Sequence, residues 1–396
     1  MKVLQLCNKP PYPPVDGGTL AMDSITQGLL AADCEVRVLS VCSDKHPVRE
    51  DKMTEEYLQA TRFEAVYVDL GIHVLDAAVA MLCGESYHVK RFISKDFAAK
   101  LASVLQEEEY DVVHIESIFL TPYVPLVRKY SKAKVVLRAH NVEHLIWKRV
   151  AQSEKNPLKR WYLKHLSLTL GAYEREHIND YDSVVCITDT DAEFFRKNGC
   201  RKPISAIPFS VNPEPLEHVQ EEPCSLFHLG SMDWMPNLEG VKWFLDEVWP
   251  LVHKQLPQVH LYLAGRRMPE ELMQLQMEGV SVVGEVPDAM YFIGSKQINI
   301  VPLLSGSGIR VKIIEAMSAG KAVISTTIGA EGIGYTDGKN LLIADTPEQF
   351  VEQIRRCVEN PDFCTEVGRN AYNLIVEEYG TEQLTQKLIR NYNLEF

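Results

Sequence analysis

Along the chain, short runs of apolar, largely β-branched residues alternate with longer stretches whose apolar positions recur every three or four residues. In the first half the runs are KVLQLC (2–7), CEVRVLSV (34–41), EAVYVDL (64–70), DVVHIES (111–117), KVVLRAH (134–140) and SVVCITD (183–189). In the second they are SLFHLGS (225–231), VHLYLAG (259–265), VSVVGE (280–285), INIVP (298–302), AVISTT (322–327) and LLIAD (341–345). Runs this apolar, separated by helical stretches, predict parallel strands buried on both faces, so each half reads as a doubly wound α/β domain. The halves are separated by IPFSVNPEPLEHVQEEPCS (207–225), whose four prolines and run of acids fit neither pattern. This gives a first domain 1–208, a linker 209–224, a second domain 225–378 and a closing helix within 379–396, where Leu384, Leu388 and Ile389 fall at helical spacing behind Thr381 as a cap. A chain of 396 residues is long enough for two such cores without staples.

Charge narrows the partners. A formal net charge of −13 speaks against nucleic-acid binding, which needs a basic surface. The local exception runs from Arg138 to Lys164, where Arg138, Lys148, Arg149, Lys155, Lys159, Arg160 and Lys164 face only Glu143 and Glu154, with Trp147, Trp161 and Tyr162 among them. Two readings stay open: a solvated helix face, or a surface that meets anionic lipid or a phosphorylated acceptor. The nine cysteines are scattered singly, without CxxC or zinc spacing, which fits small apolar residues of a reducing, cytosolic compartment. MKVLQLCN reads as a strand and not as a signal-peptide core. The longest apolar stretch, IHVLDAAVAMLCG (72–84), carries His73 and Asp76 and falls short of the ~20 residues a membrane span needs.

In doubly wound sheets ligands bind beyond the carboxyl ends of the strands, so the strand exits are the places to seek chemistry. The first, NKPPYPPVDGGTLAMDSITQGLL, puts Gly17 and Gly18 before a helix expected from about Thr19, where backbone can approach an anion; a plain tight turn explains the pair as well. No GxGxxG follows, which counts against a dinucleotide cofactor. The second exit, RAHNVEH, offers His140 and Asn141; His140 is placed to hydrogen-bond a hydroxyl or take a proton, with a structural histidine as the alternative. HIESIFL adds Glu116 and Ser117, read first as an exposed acid and a helix cap. In HLGSMDWMPNLEGVKWFLDEV, Gly230 and Ser231 sit where backbone can touch a phosphate, and Asn237 is expected to cap the next helix. The last exit, SGSGIRVKIIEAMSAGKAVIST (305–326), predicts a helix from about Ile309 whose free N–H groups, with Arg310 and Lys312, suit a diphosphate. Glu315 can accept two hydrogen bonds from adjacent hydroxyls such as those of a ribose. It is no P-loop, because no Ser or Thr follows Lys321; a Gly-rich turn with surface cations is the plain alternative. Lys90 and Arg91, in SYHVKRFIS, suggest a first domain that receives an acidic acceptor.

PYPPVDGG, AHN, CITDTDAEFF, GSMDWMPN, VPD and above all SGIRVKIIEAMSAGKAVISTTIGAEGI resemble glycosyltransferase family 4, over nearly the whole chain. The resemblance implies the GT-B fold, two Rossmann-like domains facing each other across a cleft, with residues 379–396 crossing back to the first. It implies retaining transfer of a sugar from a nucleoside diphosphate donor to a glycan or lipid-linked acceptor, in polysaccharide or lipopolysaccharide assembly, without a metal or other cofactor. The expected location is cytoplasmic, at the inner face of the membrane, by peripheral contact. Glu315 matches the family's ribose-binding glutamate, His140 the histidine near the transferred sugar and Gly18 the loop beside the phosphates, while Val286 and Asp288 fall where backbone holds the base. The aspartates of DYD (180–182) are then poor candidates for a metal pair. Two positions depart from the pattern. Ser307 stands where the family has its first glutamate, so Ser307 with the amides of Gly308 and Ile309 is expected to hold the sugar hydroxyls. Ser231 stands in a loop that lacks the usual arginine and lysine, so Arg310 and Lys312 are expected to carry the diphosphate charge. A nucleotide-sugar 2-epimerase of the same architecture and a silent nucleotide-sugar-binding protein are the alternative readings.

Overall fold

A computed structural model describes residues 1–211, 219–306 and 309–393. The chain divides into two compact units, Met1–Ser210 with Thr381–Phe396, and Val211–Gly380. These borders fall two residues beyond the composition break. Phe209 is buried and Ser210 N–H donates to Ser24 Oγ (3.4 Å), which ties both to the first unit, whereas Val211 N–H donates to Tyr379 O (3.0 Å) within the second.

In the first unit the strands are β1 (Lys2–Cys7), β2 (Glu35–Cys42), β3 (Glu64–Tyr67), β4 (Val112–Glu116), β5 (Lys134–Ala139), β6 (Ser183–Cys186) and β7 (Ile204–Ala206). They form one parallel seven-stranded sheet in the order β3-β2-β1-β4-β5-β6-β7. Alternation along each strand sorts the side chains into two layers. Leu4, Leu6, Val113, Ile115, Val135 and Leu137 pack with Phe97, Leu101 and Val104 of the helix Lys95–Glu107. Val3, Cys7, Val112, Val136 and Val185 pack with Met22, Ile25 and Leu29 of the helix Gly17–Ala31 and with Leu384, Leu388 and Tyr392 of the closing helix Thr381–Asn393. Each such buried side chain contributes roughly 1.5–3 kcal/mol, which is what holds the closing helix on the first unit.

The second unit holds β8 (Ser225–Leu229), β9 (His260–Ala264), β10 (Val280–Gly284), β11 (Ile298–Val301), β12 (Ala322–Ser325) and β13 (Leu342–Ile343). They pair in parallel in the order β10-β9-β8-β11-β12-β13. Leu226, Leu261, Leu263, Ile298, Ile300 and Ile324 bury one face against Val241, Leu245, Val248, Trp249, Phe350 and Ile354. All twelve apolar runs are strands, and β7 is an addition.

Helix starts differ from expectation, in the first case because a cap sets the start. The first helix begins at Gly17, where the Asp16 side chain accepts from Thr19 N–H and the Thr19 hydroxyl closes the capping box. The helix Met235–Trp243 starts two residues ahead of Asn237, so Asn237 is a buried interior residue and not a cap. The helix after β11 runs Val311–Ser318 with Arg310 at its cap position.

Candidate functional site

In the second unit the exits of β8, β9 and β10 are laced together by backbone. Gly230 N–H donates to Ala264 O (3.0 Å) and Gly265 N–H to Gly284 O (2.7 Å). Gly265 has φ +145°, and a Cβ there would meet Gly230 O at 1.8 Å, so only glycine allows this approach. Onto this platform the helix Val311–Ser318 sends Lys312. Its Nζ donates to Asn237 Oδ1 (2.5 Å) and lies 3.2 Å from His228 Nε2. A Cβ on Gly230 would be 2.5 Å from the same ammonium. Asn237 completes the clamp by donating Nδ2–H to Ser231 O (2.7 Å).

The protonation states follow from these contacts. His228 Nδ1 faces Ile300 O (2.9 Å), which only an N–H can satisfy, so Nε2 is a lone pair facing Lys312. Burial, then the Lys312 charge, push its pKa well below the ordinary value, so the ring is neutral. Burial, then the charge of Arg310, pull the Lys312 ammonium down to about 7, against the pull of Glu315. Glu315, one turn along the same helix, has its carboxyl raised by burial, with Lys312 opposing. Its side chain makes no hydrogen bond or ion pair among the described residues. A cation short of an anionic partner thus sits beside a backbone turn, with an open carboxylate beyond it.

In the first unit a second polar centre lies at the carboxyl ends of β4 and β5. Glu116, the last residue of β4, is register partner of Arg138, and both are fully buried. Glu116 Oε1 accepts from Gln5 Nε2 (2.9 Å), and its Oε2 stands 2.8 Å from His140 Nε2 and 3.7 Å from Arg138 Nε. Burial alone raises this carboxyl, but the charges of His114 and His140 and the hydrogen bond to His140 bring it well below its ordinary value. A carboxylate only accepts, so His140 Nε2 carries the proton and, in the neutral ring, Nδ1 is the free acceptor. Behind it, His114 Nε2 lies 3.2 Å from Glu116 Oε1 and His114 Nδ1 2.7 Å from the Tyr392 hydroxyl of the closing helix.

A family profile described as Glycosyltransferase Family 4 matches residues 15–215, and one described as Glycosyl transferases group 1 matches residues 223–360. The first alone spans more than half of the chain. This protein belongs to glycosyltransferase family 4. A curated relative from Klebsiella pneumoniae, an uncharacterized 44.6 kDa protein in the cps region, is 25% identical over 98% of this chain and 99% of its own. Among solved structures, sucrose-phosphate synthase from Thermosynechococcus elongatus is similar at TM-score 0.71 and 15% identity, covering 99% of this chain and 98% of that one. Anabaena HepE in complex with UDP is similar at TM-score 0.66 and 13% identity, covering 98% and 99%. The architecture is GT-B, two Rossmann-like domains, and the protein is a glycosyltransferase.

Within this glycosyltransferase the expected residues are sorted unevenly. Lys312, Gly230, Ser231 and Glu315 share one neighbourhood. Arg310 lies buried close enough for its charge to act on Lys312, while its Nη2–H reaches Ile328 O (3.4 Å) and its guanidinium lies 5.4 Å from the Trp234 ring centre. Ile309 is a half-buried loop residue before it, whereas Ser307 and Gly308 lie outside the described residues. Val286 is half-buried after β10, and exposed Asp288 caps the helix Ala289–Gly294 by accepting from Tyr291 N–H (2.9 Å). Gly17 and Gly18 open the first helix in the other unit, beside Lys9, whose Nζ pairs with Asp16 (2.7 Å).

On the acceptor side, Glu116 is the buried hub and not an exposed acid, and Ser117 does cap, accepting from Phe119 N–H. Lys90 pairs with Glu85 (2.6 Å), and Asn141 is half-exposed after His140. Arg91 lines a cavity of about 490 Å3 with Lys9, Lys45 and His46, and with the carboxyls of Asp44, Asp69 and Glu143. Glu143 there is pushed up to about 7, by burial and then by the Glu174 charge. The sequence assigns no site role to Lys9 or Glu143, although each lies within four residues of a strand end.

Among the described residues no group of three His, Cys, Asp or Glu is placed to hold a metal, and no helix is long and apolar enough to cross a membrane.

Proposed function

We propose that this family 4 enzyme transfers a sugar, with retention of anomeric configuration, from a nucleoside diphosphate donor to a glycan or lipid-linked acceptor in polysaccharide assembly. The observation that carries the reading is the Lys312 ammonium held against Gly230 with the open Glu315 carboxylate on the same helix. Lys312 and the Gly230 and Ser231 backbone receive the diphosphate, and Glu315 accepts from the ribose hydroxyls. As the anomeric bond breaks, negative charge grows on the leaving diphosphate. A preorganised cation stabilises that charge more than the ground state, which lowers the barrier. Lys312, with the Arg310 charge close beside it, stands in for the cations missing from the loop after β8, and the Arg310 guanidinium also packs on Trp234 and donates to the Ile328 carbonyl.

In the first unit Glu116 fixes the ring of His140 so that Nδ1 is offered to a substrate hydroxyl, a positioning role. In the cavity of the same unit, Arg91 and Lys45 meet the acidic group of the acceptor, among the carboxyls of Asp44, Asp69 and Glu143. The reaction uses no metal and no cofactor besides the donor. The cps-region relative supports a polysaccharide product, and the fold neighbour HepE, solved with UDP, makes uracil the first base to test. The enzyme works in the cytoplasm at the inner face of the membrane, by peripheral contact.

The test is release of nucleoside diphosphate from a panel of sugar nucleotides, with and without oligosaccharide or lipid-linked acceptors, in EDTA. Acceptor-dependent release with an unchanged anomeric configuration in the product is expected. Conversion of the donor without any acceptor would instead mark an epimerase, and binding without turnover a silent protein.

A further inference from the structure

Between the helices Glu143–Ser153 and Pro157–His177 lies a cavity of about 640 Å3 that no role assigned above uses. Lys148, Arg160, Lys164 and Arg175 line it, together with His144, and no carboxylate does. Among the described residues Lys148, Lys164 and Arg175 have no ion pair, and Arg160 only donates Nε–H to Glu154 O (2.7 Å). The nearby acids already have partners other than these four cations: Glu154 pairs with Lys159 (2.7 Å), and Glu174 with His144 and with Glu143 N–H. Four cations left unneutralised in one concavity, on a chain of net charge −13, define a site for an anion.

Exposed apolar side chains flank it among the charged ones. Trp161 and Leu168, 60% and 63% exposed, lie at i and i+7 beside Lys164 on the same helix, and Leu158 is 79% exposed. The neighbouring helix Val74–Cys83 packs Ala77 and Ala80 against Ala151, Leu163 and Leu166. Its opposite stripe, Leu75, Val79 and Leu82 at i, i+4 and i+7, is open to solvent, with both leucines more than 80% exposed. Arg138, which the sequence grouped with these cations, is buried in the sheet and takes no part.

We propose that this face docks on a bilayer, the cavity taking the phosphate of an anionic phospholipid while Trp161, Leu158 and the Leu75–Leu82 stripe enter the acyl boundary. Basic concavity and protruding apolar side chains together match the two layers of a membrane surface; a soluble phosphate would use only the first. The inference rests on the membrane-contact part of the function proposed above and is independent of the donor site.

The test is co-sedimentation of the full chain with phosphatidylcholine vesicles, with and without phosphatidylglycerol. The protein should sediment only with the anionic vesicles. Lys148→Gln/Arg160→Gln/Lys164→Gln should lose on the order of a hundredfold in vesicle affinity, at roughly 1 kcal/mol per charge. Leu75→Ser/Trp161→Ser should weaken binding with the charges intact. Three results overturn the proposal: no sedimentation of the wild type, sedimentation of the triple variant like wild type, or stabilisation by inorganic phosphate alone without vesicle binding. A concentration-dependent dimer abolished by Leu75→Ser, again without vesicle binding, would assign the face to a second copy. Nucleoside diphosphate binding, measured in parallel, reports the donor reading separately and should be equal in all variants.

Discussion

Glu116→Gln removes one negative charge from a place where neighbouring groups depend on it. The carboxylate is fully buried, accepts from Gln5 and His140, and lies 3.7 Å from the guanidinium of an equally buried Arg138. An amide of the same size leaves Arg138 without a counter-charge and turns an NH2 group toward one of two existing donors. Removing one partner of a buried pair costs roughly 3–5 kcal/mol. For a unit of this size each kcal/mol shifts the midpoint by roughly 2–4 °C, so Tm of the first unit should fall by roughly 6–20 °C in calorimetry. Arg138→Met added to Glu116→Gln removes the stranded charge and should restore about half of the loss. NMR of the His140 ring should show the Nε2–H tautomer in the wild type and lose that preference in Glu116→Gln. A Tm change under about 2 °C, or a double variant whose losses simply add, would refute the reasoning that Glu116 is the counter-charge of this network.

Lys312 titrates at about 7 in the free protein, so its charge is present below that pH and lost above it. Nucleoside diphosphate affinity should therefore fall from pH 6 to pH 9 in the wild type relative to Lys312→Arg, which stays charged throughout; parallel calorimetric profiles would contradict this. The same depression means that the folded state binds fewer protons than the unfolded one between about 7 and the ordinary lysine value near 10.5, so this group adds stability as pH rises through that window. Lys312→Met should flatten that part of the stability profile. Gly230→Ala places a methyl 2.5 Å from the Lys312 ammonium and 2.8 Å from Nδ2 of the buried Asn237, so it should weaken diphosphate binding about tenfold and lower Tm as well, because the hydrogen-bonded clamp must shift. Gly265→Ala meets backbone at 1.8 Å with φ +145° and should cost the second unit roughly 2–6 kcal/mol in denaturant titration.

The architecture was legible because strands buried on both faces need nearly continuous apolar runs, and twelve such runs became strands. β7 was not, because its three residues, Ile204–Ala206, carry no period of their own and are fixed by pairing with β6. The Glu116 centre was hidden for a related reason. DVVHIES reads as one more apolar run, and only the β4–β5 register brings Glu116 beside Arg138 and next to His140. The sequence assigns Lys312 the diphosphate charge that the loop after β8 lacks, but it does not show the contacts by which the fold holds it there, to Asn237 and against Gly230. Arg310, two residues earlier at the cap position, packs on Trp234 while its charge still acts on Lys312. The basic segment from 138 to 164 likewise spans a buried strand and two helices, so charge count alone could not separate Arg138 from the surface lysines.

The central claim is that Gly230, Lys312 and Glu315 form the donor site of a glycosyltransferase. The most direct measurement is calorimetric titration of the full chain with UDP, GDP, dTDP, ADP and CMP, repeated on Lys312→Ala and Glu315→Ala. The account predicts saturable binding of one nucleoside diphosphate, weakened roughly 10–100-fold in each variant, as expected for loss of a charge-assisted contact. Binding of none of them, or equal binding by the wild type and both variants, would contradict it.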